Sequence, residues 1–392
     1  MNTPEKIILF IFIILIIPFS VGLYYILLYY NMNSTIVDWF TEAEPIINAE
    51  PIINNEKIIE TVEVDYNSKL IDVPEIVKAV YVTSSSARSQ KYLEYLDNLL
   101  KTTEINAVII DIKDYSGQNK LSALDGLIQK LHNNGVYVIA RISVFEDSAL
   151  VKARPDLAIY NKLKTVDLKN PVLWVDNNNL SWIDPASKEA WEYNISIARE
   201  AVNRGFDEIN FDYIRFPSDG EVENMGFPFW DKKVSMRSVI KGFFQKLRES
   251  LPDTKLSVDL FGYSAVSTDD MGIGQVLEDS FDYFDYISPM VYPSHYENGF
   301  KGYSNPAKYP YEVVKYSMQE AFKRYTAYYN KKGTTTNKTK FRPWLQDFDM
   351  GADYTADMVR GEINAVVEAL EKNYYGFMLW NASNIYTVDA IK

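Results

Sequence analysis

From Ala79 onward, two hydrophobic rhythms alternate along the chain. Short runs rich in β-branched and aromatic residues predict strands. The stretches between them space apolar residues three and four apart, which predicts amphipathic helices. The strands predicted this way are 79–83, 106–112, 136–142, 207–213, 255–261, 284–290, 340–346 and 375–380. The helices are 89–101, 121–134, 186–204, 234–250, 272–279, 310–329 and 355–372. Parallel strands need long crossovers, so eight strands alternating with helices predict an α/β fold, a (β/α)8 TIM barrel with insertions. A doubly wound open sheet is the alternative pattern. No Gly-rich phosphate loop follows any strand, which weighs against a nucleotide site.

The pattern upstream is different. Ile7 to Tyr30 is uncharged and mostly apolar. As a helix it is long enough to cross a hydrocarbon core of about 30 Å. Lys6 precedes it and no Lys or Arg follows until Lys57, so the positive-inside rule places the N-terminus in the cytoplasm and the rest outside. A cleaved signal peptide competes, but the run is long for one and lacks a clear small-residue cleavage site. From Asn31 to Val73 the chain is acidic and repeats Glu44-Pro-Ile-Ile-Asn48 as Glu50-Pro-Ile-Ile-Asn54, which reads as an extended stalk. The expected organisation is an anchor over 1–30, a stalk over 31–73 and the barrel over 74–392.

Composition narrows the chemistry. The 392 residues carry a net charge of −13, which excludes a basic nucleic-acid footprint. There is no Cys, and the two His are His132 and His295. Thiolate nucleophiles, disulfides and histidine zinc sites are thereby set aside. What remains is chemistry built from carboxylates, Arg, Lys, Tyr and Trp, with no cofactor expected and no dedicated metal loop.

In barrels of this kind, the active site lies at the C-terminal strand ends. The stretch Asp207-Glu-Ile-Asn-Phe-Asp-Tyr-Ile-Arg-Phe-Pro217 is the most informative. Side chains alternate along a strand, so Asn210 and Asp212 share one face, and Pro217 cannot continue the ladder. Strand two ends in Asp111-Ile-Lys113, with both charges on one face, and strand three ends in Arg141. Arg215 follows strand four, Asp259 and Tyr263 belong to strand five, and Tyr292 follows strand six. Strand seven carries Trp344 and Gln346, and strand eight ends at Trp380. The long connections add Trp174, Trp182 and Asp184 on 143–185 and Phe227, Phe229 and Trp230 on 218–233. Aromatic rings beside carboxylates and amides suit sugars, whose C–H faces stack on rings while their hydroxyls find polar partners.

The segments AVYVTSSSA, NAVIIDIKDYSG, INFDYIRFPSDG, VDLFGY, YISPMVYPSHY and GFMLWNAS occur in this order. Together they resemble a bacterial barrel family catalogued as a "putative glycoside hydrolase domain". The resemblance runs from about Val77 to the C-terminus and implies a TIM barrel related to sugar-cleaving enzymes.

The expectation is then a membrane-anchored, surface-facing glycosidase acting on a polysaccharide through paired carboxyls. Asp212 is the expected nucleophile or stabiliser, held ionised by Arg215 and Lys113. Asp259, among apolar neighbours, is the expected general acid, with Asp184 as competitor. Asp111, Lys113, Arg141, Trp182, Asn210, Arg215, Tyr263, Tyr292, Trp344, Gln346 and Trp380 are expected to bind substrate. Strand seven offers Gln346 where many retaining barrels carry a nucleophilic Glu. That absence favours a strand-four nucleophile and leaves a non-catalytic glycan-binding barrel as the rival. A metal-dependent hydrolase using Asp111, Asp114 and Asp212 is a third reading.

Overall fold

The computed structural model describes residues 70–333 and 339–392. The expected anchor (1–30) and nearly all of the expected stalk lie outside these residues. Among the described residues, no helix is long and apolar enough to cross a membrane.

Eight parallel strands close on themselves. They are β1 Val77–Val82, β2 Ala107–Lys113, β3 Tyr137–Ser143, β4 Glu208–Asp212, β5 Leu256–Phe261, β6 Tyr286–Met290, β7 in two pieces (Lys340–Phe341 and Trp344–Gln346), and β8 Gly376–Trp380. Each pairs with the next, and β8 pairs with β1 to complete the barrel. The second piece of β7 bonds both β6 and β8, so closure survives the interruption at Pro343, a residue without an N–H to donate.

The main outer helices are α1 Gln90–Thr102, α2 Asp125–Asn133, α4 Lys188–Asn203, α5 Met236–Ser250, α7 Pro310–Lys332 and α8 Ala356–Leu370; shorter ones are α3 Ser148–Ala153 and α6 Leu277–Ser280. Four begin on hydroxyl caps: Ser89, Ser187, Ser235 and Thr355 each accept a backbone N–H from the first turn. The helix expected over 272–279 is only the one turn of α6. Gly272 and Gly274 sit at φ +69° and +84°, left-handed positions that break a helix before Leu277.

Strand alternation splits the apolar residues into two cores. Val80, Ile110, Val138, Phe211, Val258, Ile287, Leu345 and Phe377 face the helices and form the main core. Val77, Ala79, Ile109, Ile139, Trp344 and Met378 face inward and fill the barrel. Ile71 and Val73 pack against this inner core, and the Ile71 N–H donates to Asp207 at 2.9 Å. Contacts with the barrel therefore begin a few residues before the expected start at residue 74.

The inner face of β4 is polar throughout, carrying Glu208, Asn210 and Asp212 at alternate positions. Glu208 is fully buried and paired with the equally buried Arg342 from the β7 break. The Tyr137 hydroxyl donates to Glu208 at 3.2 Å, and the Arg342 guanidinium lies 4.2 Å from the Tyr286 ring centre. This pair occupies the N-terminal end of the barrel. Asp212 stands two alternations higher, where the barrel opens.

Candidate active site

At the C-terminal mouth, the inward residues converge on one guanidinium. Arg141 on β3 donates from Nη1 to Asp111 of β2 at 2.5 Å, from Nη2 to Asp212 of β4, and from Nε to Asp259 of β5 at 3.4 Å. Strand register explains the convergence: Asp111 pairs with Arg141 across β2 and β3, and Arg141 with Asn210 across β3 and β4. The Arg141 pKa is raised well above the ordinary value because three carboxyl groups offset its desolvation. Tyr81, at the end of β1, donates its hydroxyl to Asp111 at 2.5 Å. Burial raises the Asp111 carboxyl pKa, with Arg141 and Tyr81 opposing that shift.

Asp212 has a second contact: its Oδ1 accepts the N–H of Tyr213 at 2.6 Å. Tyr213 adopts φ +54°, a left-handed conformation costly for an aromatic residue and of the kind that gathers at functional sites. Asp259 is fully buried, accepts from the Asn210 amide at 2.8 Å, and has its pKa pushed up to about 8 by desolvation and by the charge of Asp212. The ordinary value for its carboxyl is 3.8, so the folded state holds a proton on Asp259 that the unfolded chain releases. Stability accordingly declines as pH rises from about 4 to about 8. Asp259→Asn should flatten that decline, measured by urea unfolding at pH 5 and pH 8; an unchanged slope would contradict the assignment.

Above this cluster lies a cavity of about 400 Å³. Asp111, Arg141, Asp212 and Arg215 supply its charged wall, and Tyr81, Tyr263, Tyr292, Trp344 and Trp380 supply ring surfaces. Tyr81 and Trp380 stack at 6.1 Å, and Tyr292 stands 6.0 Å from Trp380. Tyr115, Tyr296 and His295 complete the rim. A volume of this order accommodates one or two sugar rings, with aromatic faces and carboxylates on the same walls.

Several expected site residues lie elsewhere. A register shift in β2 between Asp111 and Lys113 reverses the face of Lys113. Its ammonium group is buried, pairs with Asp147 at 2.6 Å and lies toward Tyr193 of α4, away from Asp212. The cation on Asp212 is therefore Arg141, not Lys113 or Arg215. Asp184 accepts the backbone N–H groups of Ala186, Phe229 and Trp230 at 2.7–2.9 Å. It ties two long loops together and does not line the cavity. Asp259 and Asn210 lie beneath the cavity wall rather than on it.

Gln346 binds the Ser294 N–H and the Phe348 carbonyl and stays out of the cavity. Trp182 is buried, donates to Asp176 at 3.0 Å, and supports Tyr213 and Arg215 from behind. The loop aromatics Phe227 and Trp230 pack on Phe216 at 5.6 and 4.9 Å, so the sugar-sized surface comes mainly from strand ends. Asp114 turns back to Ser116, and among the described residues no group of three or more His, Asp or Glu is placed to hold a metal ion.

The sequence reading missed Tyr81 and Glu146. Tyr81 continues the inward alternation of Val77 and Ala79, a signal present in the sequence. Glu146 follows β3 and is buried, and its Oε2 has no hydrogen-bond partner. Its pKa is pushed up to about 8 by burial, with Arg215 opposing and Asp176 and Asp212 adding to the rise. Only the fold reveals those neighbours.

A closed parallel barrel with a carboxylate cluster and ring-lined cavity at its C-terminal mouth has the architecture of a glycoside-hydrolase-like TIM barrel. Residues 79–386 match the family model described as "Putative glycosyl hydrolase domain", and the chain belongs to that family. A solved hypothetical protein from Ruminiclostridium thermocellum ATCC 27405 is 34% identical, over 50% of this chain and 98% of its own, at a TM-score of 0.40. The glycoside hydrolase domain of PgaB (BpsB) from Bordetella bronchiseptica is 13% identical over 79% of this chain and 95% of its own, at 0.52. The α-L-fucosidase isoenzyme 2 from Paenibacillus thiaminolyticus is 13% identical over 80% of this chain and 48% of its own, at 0.50. At 13% identity these last two likenesses are of fold. No curated protein matches the chain in sequence.

Proposed function

We propose that this barrel hydrolyses glycosidic bonds in an extracellular or cell-wall polysaccharide, with Asp212 as the reacting carboxylate. The observation that carries this reading is the pairing of Asp111 and Asp212 on adjacent amino groups of Arg141, both on the cavity wall. Two carboxyls gathered on one guanidinium at the cavity wall suit the paired-carboxyl mechanism, in which one group is ionised and the other carries the proton. Asp212 attacks or stabilises the anomeric carbon. Asp111, with its pKa raised by burial, protonates the leaving oxygen. Asp259 is a positioning residue: it lies below the wall and acts on the sugar only through Arg141 and Asp212.

The apolar run 7–30, flanked by Lys6 and by no further cation until Lys57, supports a single-pass anchor with the barrel outside the cell. A tethered barrel that binds glycans without cleaving them is the second reading. It is favoured by one observation, the engagement of every cavity carboxylate by Arg141 or Tyr81. The two readings separate in an assay for reducing ends released from a panel of wall and capsular polysaccharides. Release supports hydrolysis, whereas retention of a glycan without release supports the binding module.

A further inference from the structure

Three arginines are buried among the described residues: Arg141, Arg215 and Arg342. Arg141 and Arg342 each pair with carboxylates. Arg215 forms no ion pair there. Its hydrogen bonds run from Nη1 alone, to the Phe216 carbonyl at 3.1 Å and to Ser218 Oγ at 3.2 Å. Among the described residues, Nε and Nη2 have no acceptor. Yet this side chain lines the cavity beside Asp212.

Its surroundings fix the orientation. The guanidinium carbon lies 4.7 Å from the Trp182 ring centre, 4.6 Å from Phe261 and 5.5 Å from Tyr213. Ring contacts of this kind stabilise the cation and hold its plane, but they do not use its in-plane N–H groups. A buried guanidinium with no carboxylate in direct contact is costly unless a ligand supplies one, and Asp212, Glu146 and Asp219 act on Arg215 only from beyond ion-pair distance. Burial lowers the Arg215 pKa, the opposite of Arg141 and Arg342. Of these carboxyls, Glu146 has its own pKa pushed up to about 8 by burial.

We propose that Arg215 is a subsite for the carboxylate of an acidic sugar, so that the polysaccharide bound in this cavity contains uronic-acid units. A planar carboxylate accepts two parallel N–H groups from one guanidinium, which point charges such as Lys cannot match. The inference rests on the glycan-binding cavity of the proposed function, but not on turnover. Asp212 and the Arg215 subsite would act on different parts of the ligand, one at the anomeric centre and one at the sugar carboxylate.

The test uses the full-length chain carrying Asp212→Asn, so that binding is read without cleavage. Calorimetric titrations compare oligosaccharides of hyaluronan, pectic galacturonan, alginate and glucuronoxylan with their carboxyl-reduced counterparts of identical linkage. Sulfated neutral oligosaccharides form a third arm. At least one acidic member should bind roughly 10- to 100-fold more tightly than its reduced counterpart. Arg215→Met should bring the two within about twofold, and Arg215→Lys, which keeps the charge but loses the fork, should fall between. The Lys variant also serves where the Met variant fails to fold.

Equal binding of acidic and reduced forms, preference for the sulfated arm, or a preference that survives loss of Arg215 would each overturn the proposal. Binding of no saccharide would overturn it together with the glycan reading. If the wild type cleaves only neutral glycans, the hydrolase reading stands and this subsite falls. If an acidic glycan binds through Arg215 but is never cleaved, the subsite stands and hydrolysis falls.

Discussion

Replacing Arg141 with Met should destabilise the protein by about 3–5 kcal/mol at neutral pH, the usual cost of stranding a buried charge. The reason is geometric. Asp111 and Asp212 are buried on the inner barrel face, and Arg141 is the cation shared between them, with Asp259 a third, longer contact. A Met of similar length fills the space but leaves both carboxylates without a counter-charge. The Asp111 carboxyl, already raised by burial, would lose the cation that opposes that rise, so the variant gains stability as pH falls through the further-raised value. The wild-type-to-variant difference should therefore be large at pH 7.5 and should narrow by pH 5, read from urea midpoints at the two pH values. A cost below about 1 kcal/mol at both pH values would mean that Arg141 is not what holds the cluster together. The same variant should lose cleavage, because Asp111 and Asp212 depend on Arg141 for their spacing.

Much of this architecture was legible in the sequence, and for identifiable reasons. Alternation along β4 placed Asn210 and Asp212 inward, and the fold agrees because a buried parallel strand has no freedom to slip by one residue. The eight strands were read within about three residues because their apolar runs are bounded by turns and helices. Failures came where local pattern and three-dimensional context part. The register shift after Asp111 sent Lys113 to the other face, and no periodicity argument anticipates an extra residue in a ladder. Gly272 and Gly274 shortened a helix that the apolar spacing predicts.

The site was less legible than the fold. Asp184 looked like a loop carboxylate near a cleft, but such a group serves equally well as an acceptor for loop N–H groups, and it accepts three. Trp182 and Trp230 looked exposed because they lie on long connections, yet aromatic residues of that size usually bury themselves, and these pack on Tyr213 and Phe216. The central place of Arg141 was not visible at all. Its three partners come from three different strands, and only barrel closure brings them to one guanidinium.

Asp212→Asn carries the largest functional expectation. The change preserves shape, and Asn Oδ1 still accepts the Tyr213 N–H that Asp212 now accepts at 2.6 Å. Arg141 keeps Asp111 and Asp259 as partners, but the Asn amide nitrogen then meets Arg141 Nη2 where Asp212 Oδ2 accepted, so folding stability should fall by about 1–3 kcal/mol. An amide, however, neither attacks an anomeric carbon nor stabilises positive charge upon it. Turnover should fall by roughly 10³-fold or more with substrate affinity largely retained, the pattern expected when a group acts mainly in the transition state. The removed charge also relaxes Asp259, whose pKa should drop from about 8. The most direct measurement is the rate of reducing-end release by wild-type and Asp212→Asn proteins on the best-cleaved polysaccharide, at matched thermal stability. Hydrolysis through Asp212 predicts robust release by the wild type and a loss of roughly three orders of magnitude in the variant. Equal release by the two proteins would contradict it.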